Sequence, residues 1–238
     1  MRIASWNCNM AYRKKASQIL PYKPDILVVP ECESPERLRF NSSLPKAKDM
    51  KWYGDNATKG LGIFSYSEFR FELHPRYNPD YKYIIPLLVT GPVEFTLFAV
   101  WAMNDRVNRE HRYIGQVWNS LIYYGPEVNG NVVWLGDFNS NAIWDHERRI
   151  ANHSDVVDVL LKYQIESAYH HFYREKHGRE LLPTFYMHRK IDKPYHIDYC
   201  FLSSKLLHSA SNFTVGKYSD WIAYSDHVPI IVDLKIEL

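Results

Sequence analysis

The chain has 238 residues, 46% of them hydrophobic and 15% aromatic, with a formal net charge of +2 and a pI near 8.3. This length suits one sizeable core, so residues 1–238 are expected to form a single domain. The weak positive balance permits an anionic ligand but falls short of the pI above about 9 of a dedicated nucleic-acid module, and no apolar run reaches the roughly 18 residues of a membrane-spanning helix.

In chain order, apolar and β-branched runs predict strands at 2–6 (RIASW), 25–30 (DILVVP), 61–66 (LGIFSY), 83–90 (YIIPLLVT) and 94–102 (EFTLFAVWA). Between the first two, residues 13–20 carry Ala16, Ile19 and Leu20 on the buried face of a short helix. A helix follows over 109–124, where Tyr113, Val117, Leu121 and Tyr124 recur at helical spacing. After the strand at 131–135 (NVVWL), a second helix is predicted over 154–163, opening on Ser154 as its N-cap. Strands at 197–202 (IDYCFL), 211–215 (SNFTV) and 228–236 (VPIIVDLKI) complete the pattern. In the last of these Val228, Ile230, Val232, Leu234 and Ile236 share one face, with Asp233, Lys235 and Glu237 opposite. About nine strands exceed what one open sheet usually holds, which favours two packed sheets with helices outside.

Cys8, Cys32 and Cys200 form no CxxC pair and adjoin apolar runs, so they read as three small buried thiols rather than a zinc site. The opening MRIASWN is strand-like from its second residue and has no apolar leader. The expected location is therefore cytoplasmic and away from membranes.

The polar residues fall into a pattern. Asn7 follows the first strand, Glu31 follows DILVVP, and Asp137 and Asn139 follow VVWLG. Positions i and i+2 of a strand share a face, so Asp137 and Asn139 can address one target. Ligands in α/β sheets gather at the carboxyl ends of strands. Asp198 and the Asp226–His227 pair lie instead at the starts of strands, and join the same edge if those strands run antiparallel to the others. Gathering Glu31, Asp137, Asp198 and Asp226 at one place implies a cation, and oxygen donors point to Mg²⁺ or Mn²⁺.

The ordered set WNCN, VVPECE, LGDFNSN, YHIDYCF and SDHVPI, spanning residues 3 to 230, resembles the endonuclease/exonuclease/phosphatase superfamily, which includes pancreatic-type deoxyribonucleases and abasic-site endonucleases. The resemblance implies a deoxyribonuclease-I-like α/β fold in four layers, two mixed β-sheets packed between helices, and metal-dependent hydrolysis of a phosphate ester. It assigns Glu31, Asn7 and Asp226 to the metal, Asp137 to the attacking water, Asn139 to a phosphoryl oxygen, and His227 with its partner Asp198 to the phosphate. It leaves open whether Asp137 or His227 takes the water's proton. After TLFAV the family usually places a Tyr or His, where this chain has Trp101; Asn104 is expected to supply the polar contact instead, with Trp101 as a core aromatic.

Arg106, the Tyr12–Lys15 run with Arg13 and Lys14, and Arg189 with Lys190 are candidates for substrate phosphates, and Tyr12 and Tyr186 for stacking surfaces. The expected function is a nuclease, endo- or exo-, acting on DNA or RNA as a monomer. A phosphatase or phosphodiesterase of a small molecule is the alternative, and a binding protein on the same scaffold a further one.

Overall fold

The computed structural model describes residues 1–39, 43–125, 130–149 and 151–236; Glu237 lies outside the described residues. One six-stranded sheet holds β1 (Arg2–Ser5), β2 (Ile26–Cys32), β3 (Asp49–Asn56), β4 (Lys59–Ser65), β13 (Ala210–Val215) and β14 (Ile230–Leu234) in the order β13-β14-β1-β2-β4-β3. The second holds β5 (Arg70–Leu73), β6 (Ile84–Thr90), β7 (Phe95–Trp101), β8 (Val132–Asp137), β9 (Ile165–Ser167) and β12 (Asp198–Ser203) in the order β5-β6-β7-β8-β12-β9. A short ribbon pairs β10 (Phe185–Tyr186) with β11 (Pro194–Tyr195).

The central strands of each sheet are buried on both faces, which explains their near-continuous apolar runs. Ile3, Val28 and Ile63 of the first sheet meet Leu97, Leu135 and Cys200 of the second in the central core. Facing outward, Trp6, Leu27 and Val29 lie under the 12–22 segment, which holds α1 (Ala16–Ile19), and Trp221. Trp134, Phe98 and Phe201 lie under α2 (Ile114–Tyr124) and α3 (His153–Lys162). The result is the expected four layers, two mixed sheets between helices. All three cysteines are buried free thiols.

Several local expectations change. β3, β5 and β9 carry too many exposed or charged residues, or are too short, to show a clean apolar period. The helix predicted over 109–124 begins at Ile114, because Tyr113 (φ 49°, ψ −118°) turns to donate its N–H to the Met103 carbonyl at 2.7 Å; Arg109–His111 form a separate 3-10 turn. Asn152, not Ser154, caps α3: Asp155 Oδ2 accepts the Asn152 N–H at 2.8 Å, a reciprocal device of helix starts. Val228 packs with the outer cluster rather than on the face of Ile230, since it precedes β14 and its N–H bonds Thr184 O. No helix among the described residues is long and apolar enough to cross a membrane.

Candidate active site

Strand direction decides which polar ends meet. β1 runs parallel to β2 and β7 parallel to β8, whereas β14 is antiparallel to β1 and β12 antiparallel to β8. Within each sheet these carboxyl and amino ends therefore share one edge, and the Asn7–Asp137 and His227–Asp198 bonds bring the two edges together. Asp137 and Asp198 are direct register partners, with Trp101 on the other side of Asp137. Gly136 explains the residue before the acid. At φ +147° its backbone passes so near β7 that a Cβ would lie 1.9 Å from the Val100 carbonyl oxygen.

His227 crosses from the first sheet to the second. Its Nδ1 bonds Asp198 Oδ2 at 2.9 Å, and its Nε2 stands 3.9 Å from Asp137 Oδ2. Ser225 Oγ accepts the His227 N–H at 3.0 Å, and Trp6 Nε1 donates to the His227 carbonyl at 3.0 Å, so the ring is held from its backbone. Thr184 Oγ1 accepts the N–H groups of Ile197 and Asp198, both at 3.0 Å, fixing the acid's strand. Asp137 accepts from Asn7 Nδ2 at 3.0 Å and from the Asn139 N–H at 2.8 Å. Asn139 (φ 50°) also donates through Nδ2 to Ala102 O at 3.2 Å.

Burial, and then the charge of Asp198, raises the Asp137 carboxyl well above the ordinary range. Burial opposes protonation of His227, but the charges of Asp198 and Asp137 outweigh it and raise the imidazole.

The four carboxylates expected at one point are divided. Asp137, Asp198 and His227 bring ligand atoms within 4.8 Å of one another. Glu31 stands apart on a bulge in β2 (φ 62°), where the register with β4 shifts between Pro30 and Cys32. Its Oε1 lies 3.5 Å from Asn7 Nδ2 and 3.2 Å from Lys59 Nζ. Asp226 Oδ1 accepts from Asn9 Nδ2 at 2.9 Å. The division arises because Glu31 and Asp226 belong to one sheet edge and Asp137 and Asp198 to the other, with Asn7 and His227 between.

The sequence profile described as "Endonuclease/Exonuclease/phosphatase family" matches residues 4–227. The chain belongs to this family. No curated protein sequence matches it. Among solved structures, this family member is similar to a 3' phosphatase, NExo, from Neisseria bound to a product DNA hairpin (19% identity, TM-score 0.68, 99% of each chain covered). It is similar to an AP endonuclease from Archaeoglobus fulgidus (18% identity, TM-score 0.69, covering 99% of this chain and 100% of that one). The catalytic domain of APE2 from Xenopus laevis is another (13% identity, TM-score 0.68, covering 99% and 92%). At these identities the likeness shows the shared fold.

A cleft of about 880 Å³ opens beside Asn139 and Ser140 in this family member. Arg109, Arg112, Arg148 and Arg149 line it, with Trp144 and Phe185 among its aromatic walls. Among the described residues none of these arginines is paired with a carboxylate. The run HERR over 146–149 carried this signal in the sequence, and Lys59 and Asn9 became visible only through strand pairing.

The expected phosphate contacts divide differently. Arg13 is held by Glu33 at 2.6 Å, Lys15 Nζ donates to Cys8 O and Asn9 O at 2.6 and 3.0 Å, and Arg189 donates to Ala223 O at 3.3 Å. Lys14, Asn104 and Arg106 are exposed. Tyr12 and Tyr186 cannot serve as stacking surfaces: both are buried, 0% and 7% exposed, because their rings complete the outer core beneath the first sheet. Trp101 is likewise buried, with Lys59 Nζ 5.1 Å from its ring centre.

Proposed function

We propose that the chain is a divalent-metal-dependent phosphoesterase, a nuclease acting on DNA or RNA, and that residues 1–238 work as one catalytic domain, monomeric and cytoplasmic. The observation that carries this reading is the buried Asp198–His227–Asp137 chain, whose neighbours Asn139, Phe185 and Ile197 line an arginine-bearing cleft.

Asp198 accepts one ring N–H of His227 and so directs the other nitrogen outward toward Asp137. Raised as it is, His227 works as an imidazolium that donates to a phosphoryl oxygen, while Asp137 orients the attacking water and takes its proton. Asn139 donates to a second phosphoryl oxygen once its bond to Ala102 is exchanged.

Glu31, Asp226 and the Asn7 amide oxygen would hold the cation. This donor set is all oxygen, which suits Mg²⁺ or Mn²⁺, and the approach of Lys59 to Glu31 supports the carboxylate's demand for positive charge. Asn7 Oδ1 accepts the Asn9 N–H at 3.0 Å and keeps a second lone pair. When bound, the ion neutralises charge on the phosphoryl oxygens.

The test is a panel of single-stranded, double-stranded and abasic DNA, RNA, and small phosphoesters. Activity is expected to vanish in EDTA and return with Mg²⁺ or Mn²⁺. Glu31→Gln is expected to weaken metal affinity while leaving the urea midpoint nearly unchanged. Full turnover in EDTA, or unaltered metal binding by this variant, overturns the assignment of Glu31.

The net charge of +2 favours a small phosphoester as the second reading, and salt separates the two. On a nucleic acid, replacing Arg109, Arg148 and Arg149 by Gln is expected to weaken binding evenly across sequences. The log–log salt slope should fall by about one unit per lost phosphate contact. A KM indifferent to both salt and these changes selects the small substrate.

A further inference from the structure

On the outer side of the second sheet, between α3 and α4 (Ala168–Tyr173), lies a cluster of polar side chains that the proposed reaction does not use. It contains His153, His170 and His177 with the carboxylate of Glu180. His170 and Glu180 are joined at 3.2 Å (Nε2 to Oε1), His177 Nδ1 lies 4.0 Å from the same oxygen, and His153 Nε2 lies 3.0 Å from His177 Nδ1. We propose that His170, His177 and Glu180 bind a divalent transition-metal ion of the zinc class, with a water as fourth ligand.

The donor atoms of His170, His177 and Glu180 all lie within 4.8 Å of one another, a triangle that a modest contraction brings to tetrahedral spacing. With metal–ligand bonds of about 2.0–2.1 Å, neighbouring donor atoms stand about 3.3 Å apart. The surrounding bonds orient the donors as supporting groups orient metal ligands. Ser167 Oγ lies 2.8 Å from His170 Nδ1 and fixes that ring with Nε2 facing Glu180. Asn141 Nδ2 donates to Glu180 Oε2 at 3.0 Å, and the Gly178 N–H lies 3.0 Å from both carboxylate oxygens, of which Oε1 faces the imidazoles.

Charge makes the second argument. The Glu180 side chain is only 3% exposed, and among the described residues no lysine or arginine pairs with it. Its polar partners are an imidazole, an amide and a backbone N–H, so a divalent ion would be its one full countercharge among the described residues. Burial lowers His177 to about 2, and neutral imidazole is the form that binds metal.

His153, 1% exposed, closes the cluster: its Nε2 shares a 3.0 Å hydrogen bond with His177 Nδ1, and its Nδ1 has no partner among the described residues.

One rearrangement is required. The His170 and His177 rings stack at 3.5 Å with an interplanar angle of 19°, so one must turn to aim its nitrogen at a shared point. Side-chain exposures of 11% and 19% leave an entry path past these two rings. Imidazole-rich donors select Zn²⁺ over Mg²⁺. The ion would clamp the 174–184 segment to α4 and, through Asn141, brace the turn that carries Asn139.

The test uses the full chain, stripped with a chelator and titrated with Zn²⁺ or Co²⁺ in excess Mg²⁺. Expected are one equivalent bound, a higher Tm, and the intense visible absorption of tetrahedral Co²⁺. His177→Gln and Glu180→Gln should each weaken binding about 10²-fold or more, with folding verified by circular dichroism, and His227→Ala should retain the signal. Failure of the parent chain to bind, survival of the signal in both Gln variants, or its loss in His227→Ala overturns the site and leaves a buried hydrogen-bonded cluster.

Discussion

Replacing His227 by alanine is expected to lower kcat by roughly 10²–10⁴ with a modest change in KM, the size of effect of a proton-donating group that acts in the transition state. Asp198→Asn should reproduce much of that loss. The amide can present an N–H to His227 Nδ1 where a carboxylate accepted one at 2.9 Å, which selects the wrong tautomer and removes the charge that raises the ring. The two side chains act as a unit, so the double variant should be hardly worse than the worse single one. Values of kcat for the three variants at saturating metal decide the matter. Strictly multiplicative losses would mean that Asp198 serves its strand and His227 works alone.

Gly136→Ala is expected to cost about 3–5 kcal/mol of stability, read as a lowered urea midpoint, and to reduce activity in whatever fraction folds. The new methyl would meet the Val100 carbonyl at 1.9 Å, backbone against backbone, so no rotamer can relieve it. Left-handed strain at φ +147° adds to the overlap. Relief would require β7 and β8 to part where Trp101 pairs with Asp137, which displaces the acid. Gly130→Ala is the control: at φ +91° nothing among the described residues lies within 4 Å of its added Cβ, so the conformational part remains, about 1 kcal/mol. Equal midpoints for the two variants would refute the close-approach argument.

The strands of the central sheets are legible because a strand buried on both faces must be apolar almost throughout, as in VVWL and ILVV. β3 and β5 escape the same reading because they lie at sheet edges, where exposed positions take charged residues and the period blurs. The polar residues at the strand ends are legible for the complementary reason: an acid or amide directly after an apolar run has no packing role to explain it.

What the sequence by itself determined is therefore local: which runs are strands, which polar groups end them, and the order of motifs that marks the family. Tertiary structure alone decided how those groups are shared out. His227 joins Asp198 and Asp137 across two sheets, while Glu31, on its bulge, faces Asn7 and Lys59. Arginines from the 109–112 and 148–149 segments line one cleft, and His170 and His177 converge on Glu180 with His153 against His177. Each of these meetings depends on strand order and register, which are set by the packing of distant apolar faces rather than by any neighbour in the chain.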